Sequence, residues 1–104
     1  MVLGSNPSGP IFYFQMLDKE KIRRLDEAVI EIRHKPIRGS GGIDHVFDYY
    51  SGNIRIGYLV LHESYDDHLT EKPLEIAASN LINELQKFNY NITAAGDKVK
   101  IKKK

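Results

Sequence analysis

His62, Glu63, Asp66, Asp67 and His68 form the densest cluster of potential metal ligands in the chain. Imidazole combined with carboxylate suits zinc, manganese or iron. A metal-dependent enzyme built on these five residues is therefore one reading. Their spacing lacks the paired helical histidines of HExxH. They straddle a strand end and the loop after it, where successive side chains point to opposite faces. A solvated acidic loop is the simpler reading and the one favoured. His45 would join the cluster if the hairpin register set it opposite His62. Nucleophilic catalysis finds less support. Ser40, Ser51, Ser64, Ser79, Thr70 and Thr93 all suit turns, caps or helix positions, and no GxSxG occurs. Gly39–Gly42 lacks the spacing of a phosphate-cradling loop. No cofactor is implied.

The charge layout points elsewhere. Residues 91–104 carry five lysines against Asp97, a net of +4, so residues 1–90 net −3 in a chain of net +1. Within them, residues 44–75 hold seven acids against Arg55 and Lys72, a net of −5. Lys98, Lys100, Lys102, Lys103 and Lys104 could neutralise phosphates in a salt-dependent, sequence-blind way. Tyr49 and Tyr58, from the tyrosine-rich middle of the chain, could stack bases if exposed beside them. Against this, lysines also guard an edge strand from aggregation, and tyrosines are more often core or interface residues. A bipolar molecule can also dock on its own opposite pole.

These residues sit in a chain of 104 amino acids, 41% of them apolar and 28% charged, which is enough for one globular domain with a real core. Cysteine is absent, which excludes disulfides, thiolate zinc sites and iron–sulfur clusters. No apolar run reaches the ~20 residues a spanning helix needs, and no secretory signal is visible. A cytoplasmic address is the default expectation, with no membrane partner.

Ile22, Leu25, Val29 and Ile32 recur at steps of three and four, which predicts a helix over Asp18–His34. Asp18 would cap it and Pro36 would stop it. His45–Tyr50 and Ile54–Glu63 read as two strands joined at Ser51-Gly52-Asn53. The second is apolar on both faces at Tyr58–Leu61, so it should be covered on both sides. Two helices cannot easily do that in a monomer, which argues for a homodimer. Pro73–Phe88 carries a second apolar stripe and reads as a helix. Ile92–Ala94 and Val99–Ile101 flank Ala95-Gly96-Asp97-Lys98, a hairpin signature. Leu81–Ile101 also resembles the helix-plus-hairpin modules of small docking domains, a generic likeness that carries no function.

Met1–Pro10 matches nothing downstream and suits a disordered arm. Leu3–Pro10 can be back-translated as CTG GGT TCG AAT CCC AGC GGG CCC, which folds like a tRNA T-arm. On that reading the natural start is Met16, residues 1–15 are carried along, and the frame belongs to an integrated mobile element. Residues 1–15 are thus a disordered arm or a first strand, and residues 16–104 a single α+β domain. The expected architecture is two helices on a small, mainly antiparallel sheet, ordered (β)-α-β-β-α-β-β. If Ile11–Met16 is a strand, the ferredoxin-like order β-α-β-β-α-β is the alternative. The expected role is that of a small, self-associating, non-enzymatic interaction protein. Its lysine-rich C-terminal hairpin would contact a partner or nucleic acid.

Overall fold

A computed structural model describes residues 11–104 of the chain. The tRNA-like reading of residues 3–10 lies outside the described residues. Eight elements follow one another: β1 (Ile11–Leu17), α1 (Lys19–Arg23), β2 (Glu27–Arg38), β3 (Gly42–Ser51), β4 (Ile54–Ser64), α2 (Pro73–Leu85), β5 (Tyr90–Ala95) and β6 (Lys98–Lys103). They make an α+β fold. One sheet runs β1-β4-β3-β2-β6-β5, and every neighbouring pair is antiparallel. The chain order is thus β-α-β-β-β-α-β-β, one strand more than expected. The split βαβ alternative has four strands in the order β-α-β-β-α-β, whereas this chain places three strands between its helices and ends on a hairpin. Ile11–Leu17 is a strand paired along β4. A chain begun at Met16 would lose all of β1 except Met16 and Leu17.

The largest correction concerns the first helix. Only Lys19–Arg23 is helical, and residues 27–38 form the longest strand in the sheet. Asp18 caps this short helix: the Lys21 N–H donates to the Asp18 carboxylate at 3.2 Å. Beyond it the segment holds two periodicities at once. Ile22, Leu25, Val29 and Ile32 fit a helix, whereas Ala28, Ile30 and Ile32 fit a strand. Branching at Cβ in Val29, Ile30, Ile32 and Ile37 favours the strand. Tertiary burial decides the matter. Ile30 and Ile32 enter the core while Val29 faces out, 44% exposed. On the outer side of the strand Glu31 pairs with Arg33, two residues on, at 2.8 Å.

Pro36 does not end this element but sits within it. Strand β2 pairs with β6 only along Glu27–Glu31 and with β3 along Ile30–Arg38. Its second half is therefore an open edge on one side, where a proline need not interrupt a ladder.

Both helices pack on one face of the sheet. Ile22 of α1 and Ile76, Ala77, Leu81 and Leu85 of α2 share a single core with Ile30, Phe47, Tyr49, Leu59, Leu61, Val99 and Ile101. Tyr90 locks β5 to the short helix: its hydroxyl lies 2.5 Å from the Ile22 carbonyl and 2.7 Å from that of Leu25. Both tight hairpins place a glycine first in a two-residue turn, Gly52 and Gly96, each at φ 62°. Type II′ turns require that conformation, which glycine alone adopts cheaply.

The opposite face of the sheet carries no helix among the described residues. The covering expected over both sides of β4 is supplied on one side only by the described residues. Tyr58 and Val60 on the outer side are half-buried by sheet neighbours rather than roofed. The dimer argument drawn from a doubly covered strand thus loses its premise. No helix among the described residues is long and apolar enough to cross a membrane.

Candidate functional site

Two side-chain constellations stand out, one on each face of the sheet. On the core face, beyond the reach of α2, a chain of hydrogen bonds crosses three strands. His34 Nε2 lies 2.9 Å from His45 Nδ1, and His45 Nε2 lies 2.9 Å from Glu63 Oε1. Glu63 Oε2 accepts from the Leu69 backbone N–H at 3.1 Å and lies 3.4 Å from His68 Nδ1. Strand register explains the convergence. His34 is paired with Phe47, and His45 with Leu61. His45 is thus two residues from Phe47 on β3, and Glu63 two residues from Leu61 on β4. All five share one face. The His34 ring also stacks on Phe47, with centroids 4.4 Å apart.

Proton placement follows from the acceptors. An ionised Glu63 needs a proton on His45 Nε2. With that proton alone on His45, its Nδ1 is the acceptor for a His34 Nε2–H. Glu63 is held below its usual pKa first by the hydrogen bond from His45, then by Leu69 and His68, while burial opposes them. His34 is also lowered, first by desolvation and then by the neighbouring His45.

Both shifts predict acid lability. Each group has a folded pKa below its unfolded value, so its stabilisation is complete above the unfolded value and lost as pH falls through the folded one. Melting temperature should decline below the ordinary histidine value of 6.5. It should fall again below the ordinary glutamate value of 4.5. Circular dichroism melts across pH 8 to 3 read this directly, and a melting temperature that climbs between pH 7 and 5 would contradict it.

This chain redistributes the five candidate metal ligands instead of gathering them. His62 lies on the outer face, where its Nδ1 is 2.9 Å from Asp44 Oδ1, and Asp44 is its register partner. Glu63 points the other way, to His45. Asp66 and Asp67 are exposed in the turn after β4, where their backbone N–H groups donate to Ser64. Only His68 follows Glu63. Among the described residues no group of three or more such side chains could hold a metal. His45 stands opposite Leu61, not His62. The sequence reading missed His34 as a partner because it was assigned to a helix end. A period-two reading of residues 28–36 would have placed it in a strand.

The outer face carries the cations. Lys98, Lys100 and Lys102 alternate along β6, opposite Glu31, Val29 and Glu27 of β2. The line continues along β2 through Arg33 and Lys35. At about 3.3 Å per residue, Lys98–Lys102 spans roughly 13 Å and Arg33–Lys35 roughly 7 Å. Glu31 interrupts it, bonding Arg33 at 2.8 Å and lying 3.8 Å from Lys98. Lys100 and Lys102 make no ion pair among the described residues. They line an open groove of about 580 Å³ with Glu27, Val29, Asn91 and Thr93. Two arginines sit over tyrosine rings beside the row: Arg33 over Tyr50 at 3.9 Å and Arg55 over Tyr58 at 4.6 Å. Arg55 also holds Asp48 at 2.8 Å.

Three candidates change meaning here. Tyr49 is fully buried and its hydroxyl donates to the Ala77 carbonyl at 3.0 Å, so it cannot join the lysine face. Burial also raises its hydroxyl pKa well above the usual value. Lys103 turns to the core side, with Nζ 3.4 Å from the Asp26 carboxylate. Lys104 follows the strand, and its backbone N–H donates to Asn89. The lysines do not guard an edge, because β6 is paired on both sides by β2 and β5.

Comparison of the chain with protein-family models, curated proteins and solved structures returns no match.

Proposed function

We propose that the protein is a non-enzymatic interaction module whose open sheet face binds single-stranded nucleic acid. The observation that carries this reading is the line Lys102–Lys100–Lys98–Arg33–Lys35 on the face that carries no helix among the described residues, with two arginines seated over tyrosine rings beside it. Cations at two-residue spacing track a phosphate backbone without reading sequence. Guanidinium groups seated over Tyr50 and Tyr58 offer platforms on which unpaired bases stack. Paired bases would have to unstack first, so a single strand is the better ligand.

The acids within the row set the scale. Five cations less Glu27, Glu31 and Asp97, the last 3.5 Å from Lys98, leave a local excess of two charges, so affinity should be moderate and strongly salt-dependent. With five phosphate contacts on a single strand, binding should weaken about a hundredfold between 50 and 200 mM salt. Fluorescence anisotropy of a labelled oligonucleotide across a salt series measures this. Binding that ignores salt, or no binding at low salt, overturns the reading.

A further inference from the structure

We infer that two copies of this chain pair edge to edge through β5, forming one continuous antiparallel sheet across a two-fold axis at Thr93. This goes beyond the nucleic-acid reading and does not rest on it.

The argument begins with the open edges of the sheet. An exposed strand edge is a template for another strand unless charge, proline or a bulge protects it. Strand β1 carries a bulge between Phe12 and Phe14. The open half of β2 carries Arg33, Lys35, Pro36 and Arg38, all exposed. Strand β5, Tyr-Asn-Ile-Thr-Ala-Ala, has no charge and no proline, and it pairs with β6 in unbroken register. It alone among these three lacks every protective device.

Hydrogen-bond alternation fixes how such a pair would form. The Lys104 N–H donates to the Asn89 carbonyl, and the register then makes Asn91, Thr93 and Ala95 the residues bonded to β6. The N–H and C=O groups of Ile92 and Ala94 therefore point outward. Antiparallel pairing about Thr93 sets Ile92 against Ala94 of the second copy and Ala94 against Ile92. Both outward residues become hydrogen-bonding pairs at once. A shift by one residue would oppose an outward group to an inward one.

Side chains and charge agree with a second copy as the occupant. Thr93 would face its own counterpart on the outer face, a favourable cross-strand pair. On the core face, the larger Ile92 would meet the smaller Ala94. No charged residue opposes another within the new pair. The two β6 lysine rows would lie three strand spacings apart, about 14 Å. That exceeds the ~8 Å screening length at physiological salt.

Analytical ultracentrifugation of the full chain without nucleic acid tests this, alongside two variants. Ala94→Pro removes an outward N–H at an exposed position and no bond to β6. Thr93→Glu keeps every backbone bond and faces Lys100 in the protomer, but sets two carboxylates together at the two-fold axis. Wild type should show a reversible monomer–dimer equilibrium. Either variant should weaken it about ten- to a hundredfold. Amide exchange at Ile92 and Ala94 should slow as wild-type concentration rises. If Ala94→Pro fails to fold, Thr93→Glu decides. A wild type that stays monomeric at every concentration overturns the inference, as does a dimer that Thr93→Glu leaves unchanged or that gives no protection at Ile92 and Ala94. Nucleic-acid binding that survives in the Ala94→Pro monomer, whose change lies on the opposite face from the lysine row, leaves the two readings separable.

Discussion

Replacing Lys98, Lys100 and Lys102 together with glutamine should remove most nucleic-acid binding while leaving the fold intact. The three side chains face solvent on β6, and their register partners are Glu31, Val29 and Glu27. Glutamine is the better probe than glutamate, because a carboxylate opposite Glu27 or Glu31 would destabilise the sheet by like-charge pairing. Each phosphate contact on a single strand contributes about 0.7 to the salt slope, so the triple variant should lose about two from it. A complementary change should act in the opposite direction. Glu31→Gln frees Arg33 and removes one of the two carboxylates beside Lys98, leaving Asp97 at 3.5 Å, and affinity should rise. Salt-dependent anisotropy reads both. Loss of affinity with an unchanged slope would place the lysines outside the contact.

Gly57→Ala should be among the most damaging single methyl additions in the protein. Gly57 is the register partner of Leu17, where β1 pairs with β4. A Cβ there would strike the Leu17 side chain and the Met16 carbonyl, and would lie 3.1 Å from Leu17 Cα. Backbone cannot yield as a side-chain tip can, so β1 must move off β4. Exchanging glycine for alanine ordinarily gains about 0.5–1 kcal/mol in a strand. Overpacking costs about 1–3 kcal/mol and wins. The melting temperature should fall by several degrees, at about 4–8 °C per kcal/mol for a domain of this size. Gly41→Ala is the control, because nothing lies within 4 Å of its added Cβ. Equal stability of the two variants would show that β1 accommodates the methyl group.

The histidine–glutamate chain shows how a candidate site can be half legible. Glu63 and His68 were visible as neighbours in sequence, and both belong to one network. His62, adjacent to Glu63, belongs to the other face because strand side chains alternate. His34 and His45 come from strands whose register no local pattern specifies. Their convergence depends on the Phe47–His34 and Leu61–His45 pairings, which are properties of the assembled sheet.

Sequence alone determined the α+β class, the two turns at Gly52 and Gly96, the second helix and the alternating lysines of β6. Each rests on a local rule: turn geometry, apolar spacing or two-residue alternation. It misread residues 24–34, where Ile22, Leu25, Val29 and Ile32 satisfy a helix and Ala28, Ile30 and Ile32 satisfy a strand. Only the tertiary structure could choose, because the choice depended on which side chains found a core to enter. Strand order was likewise beyond local pattern. It put β6 inside the sheet and left β5 at the edge, and it set Tyr49 and Tyr58 on opposite faces. Those placements arise from long-range pairing, in which the free energy of burial is shared among segments distant in the chain.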